Sequence, residues 1–189
     1  VGHSVIEVNN REDLQAVLNT NAGSGKTLFL RAGEYRLKQS LTIPSDIHIC
    51  GEGRSTVLIC EPTIRTAAIL LGDLDAKNIT IENLVVDGSK EHQDAYDPNS
   101  GRFYRTGRYS NALAGISMRG EAGHAFSNIK LKNLTVINFS RSGVYISDAE
   151  GIEIHHCDFT ENGAHVVPGP RLQHNLMIQH SSNIMIKDS

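Results

Sequence analysis

The sequence predicts an all-β chain wound as a three-faced solenoid and fronted by one short α-helix. Three observations carry this. One phrase recurs four times, as Asn78-Ile-Thr-Ile-Glu-Asn-Leu84, Asn128-Ile-Lys-Leu-Lys-Asn-Leu134, Gly151-Ile-Glu-Ile-His-His-Cys157 and Asn183-Ile-Met-Ile-Lys-Asp-Ser189. Its starts lie 50, 23 and 32 residues apart, which marks a structural repeat carrying insertions of variable length. Around the copies, β-branched and aliphatic residues recur at period two in short runs, grouped in threes and separated by turn residues. Helical periodicity is confined to one segment near the N-terminus.

That segment is Arg11–Leu18, in which Leu14, Val17 and Leu18 share one face. Asn10 precedes it as the expected cap, with Asp13 three residues on, in the pattern of a capping box. A solenoid exposes the hydrophobic end of its first turn, so residues 1–40 are expected to form an N-terminal cap of this helix and entry strands. Next, Ala22-Gly-Ser-Gly-Lys-Thr27 superficially matches a phosphate-binding loop. Thr20 stands where that motif requires its first glycine, and the order of helix, loop and strand is the reverse of the required one, so nucleotide binding is not expected.

Residues 41–189 are expected to form the coils. The first triplet is Leu41–Ile43, Asp46–Cys50 and Thr56–Cys60, broken at Pro44-Ser45 and Gly51-Glu-Gly53. Further triplets are Ala68–Leu71, Asn78–Glu82 and Leu84–Val86; Gly115–Arg119, Asn128–Lys132 and Leu134–Ile137; and Gly143–Ser147, Ile152–Ile154 and Cys157–Phe159. A last turn opens with Asn175–Gln179 and reaches Ile184–Ile186. It reads as cut mid-coil before a C-terminal cap, with an open edge at which another copy can pair.

The chain of 189 residues suggests one domain. Its 18 basic and 21 acidic residues give a net charge of −3 with no basic run, so nucleic acid is not an expected partner. No apolar stretch approaches the roughly 20 residues of a membrane helix, and Val1-Gly2-His3 does not begin a signal peptide, as in a mature or trimmed soluble chain. Cys50, Cys60 and Cys157 are too few for a disulfide scaffold; Cys50 and Cys157 sit beside apolar strand residues and are read as free thiols acting as small core hydrophobes. His3, His48 and His124 have no evident role. Three glycosylation-like tripeptides coincide with the repeat phrases and are better explained by turn geometry.

Gly33-Glu-Tyr-Arg-Leu37, Leu41–Ser45, Ile49–Leu58 and the recurring Asn-Ile phrases, with Asn83 and Asn133 where turn asparagines stack, resemble the N-terminal part of a right-handed parallel β-helix of the pectate-lyase-like superfamily. The resemblance covers nearly the whole chain. It implies a single-stranded right-handed parallel β-helix, an extended sugar chain as ligand, and a secreted or periplasmic location. It also implies a binding face made by the first strand of each coil and walled by the loops entering it. Two entering segments are long, from Asp87 to Ala114 and from Asn162 to His174.

On that face, alternation turns Ile116, Met118, Val144, Ile146, Leu176 and Ile178 inward and Ser117, Arg119, Tyr145, Ser147, Met177 and Gln179 outward. Arg119 is a candidate clamp for a sugar carboxylate and Tyr145 a candidate for stacking on a sugar, with Gln179 and the loop residue Tyr104 as further binding candidates. Ordinary solvent-facing residues would show the same alternation. Asp94 and Asp97 offer hard oxygen ligands for calcium, although their spacing departs from that of a twelve-residue calcium loop, and solvated loop acids are the favoured reading.

Pro168 and Pro170 stiffen the second segment, which carries His165, Arg171 and His174. Related hydrolases carry acidic motifs entering these strands. Here the matching positions are Ser140-Arg141-Ser142 and His174-Asn175, without a carboxylate. β-Elimination on a uronic-acid polymer needs a base and a cation instead, and relatives use Arg or Lys, often with calcium. His165, His174, Arg171 and Arg141 are therefore the catalytic candidates of a polysaccharide lyase. A glycoside hydrolase of the same fold and a non-catalytic glycan-binding module stay open.

Overall fold

The computed structural model describes residues 4–89, 112–120, 123–163 and 174–189, with the backbone of two further strands at Asp94–Asp97 and Arg102–Arg105. The chain is all-β with parallel sheets and one short helix. β1 (Val5–Val8) leads into α1 (Leu14–Thr20), followed by β2 (Thr27–Leu30), β3 (Gly33–Leu37), β4 (Leu41–Ile43), β5 (Ile47–Gly51), β6 (Thr56–Cys60) and β7 (Ala67–Leu71). Then come β8 (Lys77–Asp87), β9 (Asp94–Asp97), β10 (Arg102–Arg105), β11 (Ala114–Arg119) and β12 (Phe126–Ile137). β13 (Ser142–Ser147), β14 (Ala149–His155), β15 (Asp158–Thr160), β16 (His174–Gln179) and β17 (Ser182–Lys187) complete the chain. No helix among the described residues is long and apolar enough to cross a membrane.

Apart from the antiparallel pair of β9 and β10, the described strands fall into three parallel rows. The first is β1-β2-β5-β8-β12-β14-β17. A second joins β3 to β6, the C-terminal half of β8, the C-terminal half of β12, and β15. The third is a separate sheet, β4-β7-β11-β13-β16. Two strands expected to be separate, Asn78–Glu82 and Leu84–Val86, are one continuous strand bent at Asn83, where φ is 57°. β12 bends likewise at Asn133, with φ 49°. Asn tolerates this left-handed backbone better than other non-glycine residues. The bends stack, with the Asn133 amide donating to Asn83 Oδ1 at 2.9 Å. A second ladder runs from Asn128 to Asn78 Oδ1 (2.7 Å) and from Asn78 to Asp46 Oδ1 (2.7 Å). Glycine occupies the equivalent turn at Gly151, where φ is 68°.

Inward side chains of all three rows meet in one apolar core that includes Leu28, Ile49, Ile69, Ile79, Ile116, Leu131, Val144 and Ile152. Burial of such side chains is the main favourable term of the fold. Gly115 and Gly143 face each other on β11 and β13, where a Cβ on Gly115 would stand 3.0 Å from the Phe139 ring and 2.6 Å from the Gly143 carbonyl.

The helix starts later than Asn10 predicts. Asp13 is its N-cap, accepting from the Ala16 amide at 3.1 Å, while Asn9 Oδ1 takes the Arg11 amide in a preceding turn. Leu14 and Leu18 are buried and Val17 packs against the core. In the loop that superficially matches a phosphate site, the Gly23 and Gly25 amides donate to the Ser45 and Asp46 carbonyls and so are committed within the fold. Cys60 and Cys157 are core thiols, but Cys50 is half-buried on the outer face: β5 alternates, so Ile47 and Ile49 point in and His48 and Cys50 point out.

Candidate functional site

The outer face of the third row carries the residues that the sequence singles out. On β11 and β13, Ile116, Met118, Val144 and Ile146 are fully buried, and Leu176 and Ile178 on β16 pack partly against the core. Ser117, Tyr145, Met177 and Gln179 consequently face outward at half-burial, and Arg119 is exposed. Ser147 departs from this, being 4% exposed although its place in the alternation is outward.

Parallel register aligns these side chains across strands. Leu70, Ser117, Tyr145 and Met177 form one line, and Arg119, Ser147 and Gln179 the next. All of these except Ser147 line a cavity of about 430 Å³, together with Thr66, Leu113, Arg141 and Ser142. Four predicted residues, Arg119, Arg141, Tyr145 and Gln179, thus meet in one groove. The described lining contains no carboxylate.

Tyr145 is held at both ends. Its hydroxyl donates to Gln179 Oε1 at 3.2 Å, and the Arg119 guanidinium stands 5.4 Å from its ring centroid. One face of the ring therefore carries a guanidinium in a cation–π contact. Arg141 enters β13 from the opposite end, its backbone carbonyl accepting from the His174 amide at 3.0 Å. His174 begins β16 in register with Ser142 and is exposed; it is not among the lining residues, to which β16 contributes Met177 and Gln179.

His165 and Arg171 lie outside the described residues. So do the side chains of Tyr104, Asp94 and Asp97, of which only the backbone is described; β9 and β10 pair antiparallel, Asp97 with Arg102 and Asp94 with Arg105. A cluster that sequence reasoning missed lies on the first row, where donor atoms of His48, Cys50 and Glu82 all stand within 4.8 Å of one another. The signal that could have found it is the alternation of β5, which puts His48 and Cys50 on one face.

No protein-family model and no curated protein sequence matches the chain. Among solved structures, it is similar to the ORF18 protein of Geobacillus virus E2, with a TM-score of 0.69 and 18% identity over 95% of this chain. The chain spans 35% of that viral protein's length. It is also similar to a Parabacteroides merdae protein provisionally named a glycosyl hydrolase, with a TM-score of 0.58 and 17% identity, covering 97% of this chain and 96% of that one. At these identities the likeness is one of fold.

Proposed function

We propose that the chain is a carbohydrate-active protein that holds an acidic polysaccharide along the outer face of the third row and cleaves it by β-elimination. The observation carrying this reading is the composition of the groove: two guanidiniums, a phenol and an amide converge on one concave surface whose described lining has no carboxylate. The three parallel rows and stacked turn asparagines support the finer fold reading, a right-handed parallel β-helix with residues 1–40 as its cap. A neighbour named as a glycosyl hydrolase supports carbohydrate chemistry.

In this reading Arg119, oriented by Tyr145, clamps a uronate carboxylate through paired N–H donors. A base removes the ring proton α to that carboxylate; the electron pair forms a double bond to the adjacent carbon, the bond to the leaving sugar oxygen breaks, and that oxygen takes up a proton. His174 and Arg141 enter neighbouring strands at one end of the groove and are the candidates for base and charge stabilisation. His165 and Arg171 belong to the same proposal, as do Tyr104 for binding and Asp94 and Asp97 for calcium. A polymeric substrate of this kind fits a secreted or periplasmic protein, and the exposed Met185 and Ile186 on β17 offer a surface for a second copy.

Hydrolysis is the second reading, favoured by the neighbour's name. It requires two carboxylates roughly 6.5–9.5 Å apart for inversion, which the described groove lining does not supply. The test is a panel of uronic-acid and neutral polysaccharides, followed by unsaturated-product absorbance and by new reducing ends, with and without a calcium chelator. Both signals together establish the lyase, and reducing ends alone establish the hydrolase. Binding without either signal establishes a glycan-binding module.

A further inference from the structure

We propose that His48, Cys50 and Glu82 form a binding site for a zinc-class divalent cation on the outer face of the first row. Strand geometry brings them together. His48 and Cys50 are two apart on β5 and so share a face, and Cys50 is the register partner of Glu82 on the neighbouring parallel strand β8. Their donor atoms all lie within 4.8 Å of one another, and all three side chains are half-buried. Three protein donors that include an imidazole and a thiol, with a position left for water, suit zinc or cobalt; calcium and magnesium call for oxygen donors instead.

Neighbouring groups are placed as outer partners of such a site. Thr27 on β2 is the register partner of His48, and its hydroxyl stands 3.1 Å from His48 Nδ1. With Nδ1–H donating to that hydroxyl, the Nε2 lone pair points at Glu82 Oε1, 2.9 Å away. Two lone pairs at that distance need a positive centre between them, either a proton or a metal ion. The Asn83 amide donates to Cys50 Sγ at 3.4 Å, an interaction that favours the thiolate. Burial pushes the Cys50 thiol up and Glu82 adds to this, so the bound ion displaces a proton from the sulfur. Donor atoms about 2.0–2.3 Å from a tetrahedral ion stand about 3.3–3.8 Å from one another. The largest donor separation, at most 4.8 Å, exceeds that span by no more than about 1 Å. The ion would tie β5 to β8 at the level of the Asn83 bend.

The test is titration of tag-free, chelator-stripped protein with cobalt(II), followed by visible and near-ultraviolet absorption. One equivalent is expected to produce thiolate-to-cobalt charge transfer and the intense ligand-field bands of four-coordinate cobalt, both abolished by excess zinc. Cys50→Ser should remove the charge-transfer band, and Thr27→Val should weaken binding about 10–100-fold, as loss of an outer-shell partner does. Thermal melts of both variants by circular dichroism establish that they remain folded. Absence of a one-to-one cobalt complex, or a charge-transfer band that survives Cys50→Ser, overturns the proposal.

Discussion

The side-chain amide of Gln15 makes to Thr42 the two hydrogen bonds that a neighbouring strand would make: Nε2 donates to the Thr42 carbonyl at 2.9 Å, and Oε1 accepts from the Thr42 amide at 2.8 Å. Thr42 is the middle residue of β4, the end strand of the third row. An unprotected strand edge invites pairing with another chain. Gln15→Ala should therefore lower stability by about 1–3 kcal/mol, the net worth of the two hydrogen bonds it removes. Urea denaturation reads this, and light scattering should show increased self-association.

The asparagine ladder makes a conformational prediction. Asn133→Ala places a Cβ-bearing residue without a polar side chain at φ 49° and removes the bond to Asn83, and should cost about 1–2 kcal/mol. Asn133→Gly keeps the backbone free of strain and should cost less. The order of the two variants in denaturant midpoint is the measurement, and equal losses would assign the effect to the hydrogen bond alone.

Gly115→Ala should be among the most damaging single-methyl additions, because its Cβ would press on the Gly143 carbonyl and the Phe139 ring of the core. Overpacking of this kind costs about 1–3 kcal/mol. A thermal melt of the variant tests it, with Gly53→Ala, half-buried but with nothing within 4 Å of the added Cβ, as a comparison for strain at φ 72°.

Binding of an acidic oligosaccharide should depend on both guanidiniums of the groove. Arg119→Ala and Arg141→Ala should each weaken uronate binding by about 10–100-fold, the worth of a charged hydrogen bond. Binding of a neutral oligosaccharide should change little. Tyr145→Phe frees Gln179 but retains the ring beneath Arg119, so its effect should be smaller than that of Arg119→Ala. Calorimetry on the two ligand classes separates these outcomes.

Alkaline pH should destabilise the chain. Burial raises the Cys60 thiol to about 12, and burial, with Glu12 and Glu52 nearby, raises the Tyr35 phenol to about 12. Both groups are neutral when protonated, so their contribution is complete below the unfolded values of about 8.5 for Cys and about 10 for Tyr. It is lost as pH rises from there towards about 12. Cys60→Ala should flatten the first part of that decline in a series of denaturation curves.

Much of the strand arrangement was legible because period two is a local property: the inward set Ile116, Met118, Val144 and Ile146 follows from alternation alone. Asn83 and Asn133 were legible because left-handed turns select asparagine. Partnerships across 26 to 50 residues were harder to see. The contact of Arg119 with Tyr145 depends on a register set by the length of the intervening turn, which no short window reveals. Cys50 was misplaced because apolar neighbours suggested the core, whereas the alternation of its own strand turns it outward beside His48. The helix cap moved from Asn10 to Asp13 because both residue types satisfy the capping chemistry and only packing of Leu14 and Leu18 fixes the start.

The lengths of the connections are unequal around the rows. Those leading from the third row back to the first are short, such as residues 72–76 and Asp148, whereas those entering the third row vary from residues 38–40 to residues 88–113. The length of the entering segment thus differs from one repeat to the next while the strands themselves keep a fixed register. A descendant of this chain could acquire a new specificity by exchanging one such segment as a cassette, with the asparagine ladders acting as the ruler that keeps everything else in place.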